Sequence, residues 1–186
     1  DIQGRSDQAI AVMEAGVRDA ERLTAIEPDN GIWRQFAAGA RLELAGRLIS
    51  LNRPSAAADH VRSGCTSAAE LRQRDPEAAA WRQLLTDSLT ARARLGLSPG
   101  QAAQALPLAQ QALVSARGER NVDIYRPRYR VAAALRLIGD IQLRAGDRAA
   151  AERAWAQALG ELPDGVTERP RELAERVELL RRVGLN

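Results

Sequence analysis

The sequence predicts an all-α fold built as a solenoid of antiparallel helical hairpins, and three observations carry that expectation. Ala is its commonest residue and aromatic residues are only 3% of its 186 positions. No β-branched alternating run occurs, so close-packed helices are favoured over strands. A ten-residue phrase also recurs: Glu27-Pro28-Asp29-Asn30-Gly31-Ile32-Trp33-Arg34-Gln35-Phe36 is echoed by Asp75-Pro76-Glu77-Ala78-Ala79-Ala80-Trp81-Arg82-Gln83-Leu84. The two Trp stand 48 residues apart, and a fixed period of about 20 to 50 residues marks an array of stacked helical units. Finally, the stretch from Ala132 to Asp164 asks for two helices side by side. Its first stripe is Leu135, Ile138, Gly139 and Gln142; its second is Ala151, Trp155, Ala158 and Leu162, both at helical spacings.

Taken in order, Asp7 to Ile26 is an amphipathic helix with Ile10, Met13, Val17, Ala20 and Leu23 on its stripe. It ends in Glu27-Pro28 as the second helix of a repeat would, without a first helix before it. That pattern fits a chain that begins part-way through an array, or the C-terminal portion of a longer protein; the alternative is a lone N-terminal capping helix. Repeat 1 spans 31–74, with helices from Gly31 to about Leu51 and from Ser55 to about Arg74. Both are longer than usual, which accounts for the long period. Repeat 2 spans 77–117: Trp81, Leu84, Leu85, Ser88 and Leu95 face inward, Gly96-Leu97-Ser98-Pro99 breaks the first helix, and Ala105-Leu113 lies in the second. Pro107 is tolerable in a first helical turn, where its missing N–H has no partner to lose. A helix from Pro99 kinked at Pro107 is the alternative.

Gly118 to Pro127 reads as the longest irregular link, held down by Tyr125 and Tyr129. Repeat 3 spans 128–163. In it Ala145-Gly146-Asp147 ends one helix with Gly and caps the next with Asp. Small residues at Gly139, Ala151 and Ala158 let the backbones approach, and Trp155 fills the remaining gap. A capping helix over 168–183 closes the array, with Leu173, Val177 and Leu180 turned inward and Arg and Glu turned to water.

Gly139, Ala151, Trp155, Ala158 and Pro163 together resemble a tetratricopeptide repeat: a small residue late in the first helix, Ala-aromatic-Ala in the second, and a closing Pro. Leu135 stands where that family often has Trp, and Gln142 where it prefers Tyr or Leu, so this helix pairing is weaker than usual. Ala105-Leu106-Pro107-Leu108 is a form common in second helices of the family. The resemblance implies a right-handed superhelix covering nearly the whole of 1–186 as a single domain. It also implies a concave groove that holds a partner.

Catalytic chemistry finds few candidates. His60 and Cys65, the only His and Cys, fall about 140° apart around a helix at roughly 100° per residue. They do not face one site, and a surface His beside a buried Cys is the expectation. One Cys permits no internal disulfide. No His-x-x-x-His, Cys-x-x-Cys, Gly-rich phosphate loop or Gly-x-Ser-x-Gly is present. The expectation is therefore a non-enzyme with no cofactor and no metal. The longest apolar run is far below the roughly 18 residues of a membrane span.

All 27 basic residues are Arg, set against 24 acids for a net charge of +3. Arg without Lys, with abundant Ala, fits a GC-rich bacterial coding sequence; cytoplasm and periplasm fit equally. A sequence pI of about 9.9 is formally that of a nucleic-acid binder. However, many acids precede an Arg by four residues, as in Glu14/Arg18, Glu43/Arg47, Glu70/Arg74, Glu172/Arg176 and Glu178/Arg182. Such pairs, each worth about 0.2–0.5 kcal/mol, make a solvated helix face, and nucleic acid is not the expected partner.

The resemblance singles out one Arg set. Arg34 and Arg82 each follow a Trp, and Arg136 follows Leu135; in tetratricopeptide arrays this position faces the groove and, in carboxylate-clamping members, carries a base. With Gln35, Gln83 and Asp140 these residues form the expected peptide-binding groove for an acidic protein or peptide segment, Arg being suited to planar capture of carboxylates. The Asn residues of the known clamp are absent, and Asp140 adds a negative charge. The alternative is that these Arg pair with neighbouring acids. The function expected is a protein-interaction scaffold, as a binding, sensor or oligomerisation module of a larger bacterial regulator. Similar elongated repeats occur in membrane-tethered Ser/Thr kinases and winged-helix regulators. A free-standing assembly cofactor and self-association through the first helix are the alternatives.

Overall fold

Residues 2–97, 102–118, 127–162 and 170–184 are described by the computed structural model. Every regular element among them is a helix: α1 (Ile2–Ile26), α2 (Gly31–Ser50), α3 (Pro54–Arg74), α4 (Ala79–Leu95), α5 (Ala102–Gly118), α6 (Pro127–Arg144), α7 (Arg148–Glu161) and α8 (Pro170–Arg182). The chain is all-α. Its helices group into two compact units, Asp1–Leu95 and Gly96–Asn186, divided within the stretch read as the second repeat.

Local chemistry sets the helix ends. Asn30 caps α2, its side-chain oxygen accepting from the amides of Ile32 (3.0 Å) and Trp33 (3.4 Å). In the echoed phrase the acceptor moves to Asp75, whose Oδ1 takes the amides of Glu77 (2.8 Å) and Ala78 (3.2 Å). Pro54 opens α3, where no amide partner is lost. Gly146 adopts φ 88°, a left-handed turn open to Gly without strain. Asp147 then caps α7 by accepting from the Ala150 amide at 2.9 Å. Helices α2 and α3 run 20 and 21 residues against 18 and 14 for α6 and α7.

In the first unit α2 is central. It touches α1, α3 and α4, α3 also touches α4, and α1 rests on α2 alone. Leu42, Leu44, Ala45, Leu48, Val61, Ala68, Leu71 and Leu84 lie in the core. Close approach depends on glycine. A Cβ on Gly64 would stand 2.8 Å from the Leu42 side chain and 3.2 Å from the Ala38 carbonyl, and one on Gly31 would stand 2.7 Å from the Trp81 ring. In the second unit α6 is central, touching α5, α7 and α8. Ala151, Trp155, Ala158 and Leu162 are buried with Val131, Ala132 and Leu135. A Cβ on Gly139 would meet Trp155 Cδ1 at 2.5 Å and the Ala151 carbonyl at 3.0 Å. The small-residue stripe expected between these helices is therefore present, with Trp155 filling it.

Several expectations change. Helix α1 starts at Ile2, and while Ile10 and Val17 are buried and Met13 and Ala20 half-buried, Leu23 is exposed. Pro107 stands beyond the first turn of α5, so its ring removes the bond that an amide there would make to Ala103. On α8 Val177 faces solvent, whereas Leu179 and Glu175 are buried; the inward stripe is set by an ion pair as well as by apolar residues. The Leu173 side chain, Pro99, Tyr125 and Pro163 lie outside the described residues, and Tyr129 is half-buried.

Gly139→Ala should destabilise the protein by about 1–3 kcal/mol through overpacking against Trp155. Gly160→Ala, where a Cβ meets nothing within 4 Å, should be neutral or stabilise by about 0.5–1 kcal/mol. Denaturant midpoints of the two variants check the contrast. Gln142→Leu should stabilise by about 1–3 kcal/mol, because the Gln142 Oε1 is buried without a hydrogen-bond partner.

Candidate functional site

The sequence-expected groove residues divide between the units: Arg34, Gln35, Arg82 and Gln83 belong to the first, Arg136 and Asp140 to the second. Each Arg is engaged by a carboxylate of its own unit. Arg34 on α2 donates to Glu70 on α3. Arg82 on α4 donates to Glu77 at 3.3 Å and to the Pro76 carbonyl at 3.5 Å, both in the turn before its helix. Gln35 and Gln83 are half-buried beside them. These two ion pairs are partly solvated, a setting in which such pairs contribute only about 0–1 kcal/mol. Local spacing pairs Glu70 with Arg74 on its own helix, but Glu70 turns to α2, while Arg74 donates to the Asp29 carbonyl at 2.8 Å.

The second unit concentrates its charges where its helices meet. Arg136 on α6 donates through Nε to Glu175 on α8 and through Nη1 to Asp140 at 3.4 Å. Asp140 also accepts from Trp155 Nε1 on α7 at 3.1 Å. The Arg182 guanidinium completes the set with a two-pronged contact to Asp140, 2.8 Å from Nε and 3.2 Å from Nη2. The Glu175 side chain is 7% exposed and Arg136 16%. Charges this dry are tolerated because each is both paired and hydrogen-bonded. Glu178, at the rim, accepts from Arg182, and that hydrogen bond holds its carboxyl below the ordinary range.

A third feature has no signature in the local sequence pattern. Ile26 ends α1 and Ile32, Trp33 and Phe36 begin α2, joined by the turn Glu27–Asn30; the Trp33 and Phe36 rings meet in a tilted contact, centroids 6.1 Å apart. Ile26, Ile32 and Phe36 are exposed, as are Val12 and Leu23 of α1. The echo makes this pattern informative. Leu84, the counterpart of Phe36, is 5% exposed where Phe36 is 56%, and the Trp81 ring covers Gly31 of α2. The last position of the motif therefore docks a helix as Leu84 on α4 and faces solvent as Phe36 on α2.

Elsewhere, His60 is half-buried, which corrects the surface position expected for it. Cys65 is half-buried, donates to the Ser88 carbonyl at 3.5 Å, and has its thiol pushed up by burial, the state of a packing residue. No group of three or more His, Cys, Asp or Glu able to hold a metal occurs among the described residues. None of their helices is long and apolar enough to cross a membrane. Comparison with protein-family models, curated proteins and solved structures found no match.

Arg136→Ala strands Glu175 in a dry site and should cost about 3–5 kcal/mol. Arg148→Ala, at a pair whose Arg is 81% exposed, should stay within about 1 kcal/mol; urea titration of both checks the contrast. The lowered Glu178 pKa contributes stability that is present above the ordinary carboxylate range and lost as pH falls through the lowered value. Thermal midpoints should therefore drop less on acidification in Glu178→Gln than in the parent.

Proposed function

We propose that this chain is a non-catalytic protein-interaction module that holds a helical segment of another protein, and that the Ile26, Ile32, Trp33 and Phe36 face of the first unit is where it docks. The observation carrying this reading is the unequal use of one motif: Trp81 and Leu84 dock α4 onto α2, while Phe36, the counterpart of the buried Leu84, is left facing water. Exposed apolar surface of this kind is the usual mark of a partner site. The α2–α4 contact supplies a template for the occupant, an amphipathic helix with a glycine where Gly31 receives Trp81. Such a helix buries apolar residues in a preformed seat, so the module itself loses little freedom on binding.

The tetratricopeptide-like solenoid is part of the same proposal. Its support is the 48-residue echo, the Gly139/Trp155 helix pairing and the packing of consecutive helices within each unit. The three Arg of the expected groove already serve carboxylates of their own chain, so a partner's acid would have to replace Glu70, Glu77 or Glu175. Apolar docking supplies most of the affinity in this reading, and the Arg add orientation. A module of a larger bacterial regulator is the setting we favour.

Phe36→Glu and Ile32→Glu should leave stability within about 0.5 kcal/mol, as exposed substitutions do, yet release a partner that the parent retains from lysate and binds again after purification. Val114→Glu, at an exposed site of the second unit, should keep that partner. Equal retention by all three variants contradicts the reading, as does binding to arbitrary duplex DNA that falls steeply with salt.

A further inference from the structure

We propose that the face formed by α6 and α7 is itself a helix-binding site, and that α8 is a resident, displaceable ligand which keeps it occupied. The site is assembled from groups that do not belong to α8. Asp140 is oriented by Trp155 Nε1 at 3.1 Å and by Arg136 at 3.4 Å, and Trp155 Nε1 also reaches the Arg136 carbonyl at 3.3 Å. An anion-seeking Arg, a cation-seeking Asp and the apolar floor of Val131, Leu135 and Trp155 therefore stand together on the α6–α7 pair.

What α8 offers to this face is a short code. Glu175 meets Arg136, Leu179 enters the apolar floor fully buried, and Arg182 meets Asp140 with both prongs. These residues follow the spacing i, i+4, i+7, one stripe of a helix. Among the other described side chains of α8, Val177 is exposed and Leu180 half-buried, and just past its end Val183 is partly buried against the same core. Paired charges of this kind fix orientation and register more than they add net stability, because desolvation offsets most of their attraction. With one fully buried leucine among its described side chains, and ion pairs whose attraction is offset by desolvation, α8 is held specifically rather than tightly. The occupant that fits when α8 leaves is a helix supplied by another molecule with Glu, an aliphatic residue and Arg at those three spacings. The charge complementarity with Arg136 and Asp140 selects it, and α8 acts as a built-in competitor. This site belongs to the second unit and stands whether or not the Phe36 face binds a partner.

The test uses the full chain carrying Glu175→Arg and Leu179→Asp, which unseats α8, and a fluorescent peptide spanning residues 170–184. Saturable binding of the native peptide to the variant is expected, at least tenfold tighter than to the parent chain, with loss of binding when the peptide bears the same two substitutions. Absence of binding to a variant whose other helices stay folded overturns the proposal, and so does equal binding of both peptides. Should the variant lose α5–α7 as well, hydrogen exchange of the parent decides. Protection of α8 at least tenfold below that of α6 and α7 supports a displaceable ligand, and one shared protection for all three helices overturns it.

Discussion

Much of this structure depends on glycine standing beneath an indole ring. Gly31 lies under Trp81 in the first unit and Gly139 beside Trp155 in the second. In each case the absent Cβ lets two helices approach, and the ring occupies the space with a large apolar surface. In an Ala-rich chain with few aromatics, Trp81 and Trp155 each mark a place where two helices meet closely. Trp81 and Trp155 are used inside a unit. Trp33 is half-buried and touches the ring of Phe36, which is exposed where its counterpart Leu84 is buried, and that difference is the physical root of the functional reading.

Charge supplies what apolar bulk does not. With 27 Arg and 24 acids, the chain does more than coat its surface with helix-turn ion pairs. Arg34–Glu70 joins α2 to α3, and the Arg136, Asp140, Glu175 and Arg182 set joins α6 to α8. A dry ion pair gives directional contact between helices whose apolar faces are narrow. That is why α8, with a single fully buried aliphatic among its described side chains, still has a defined seat.

Much of the fold is legible in the sequence because its signals are local. Helix ends at Asn30, Gly146 and Asp147 follow from side-chain chemistry within a few residues, and the Gly139/Trp155 pairing from spacing alone. The orientation of α8 is not legible in this way. A stripe drawn through Val177 and Leu180 assumes that only apolar residues turn inward, whereas Glu175 is drawn in by an Arg 39 positions away. The same limit hides the partner of Arg34, since Glu70 lies on another helix and the local pattern offers Arg74 instead. Pro107 reads as a first-turn residue when α5 is started near Ala105, whereas the helix already runs from Ala102. The exposed Phe36 face becomes recognisable only beside the burial of Leu84.

The central claim is that the face around Phe36 is a partner's seat. Its most direct measurement places a photoreactive residue at position 36 and, as a control, at position 114, with the chain irradiated in the cells that produce it. A single covalent adduct from position 36, mapping to a helix of one protein and absent from position 114, is the predicted result. No adduct from position 36, or the same mixture of adducts from both positions, would contradict it.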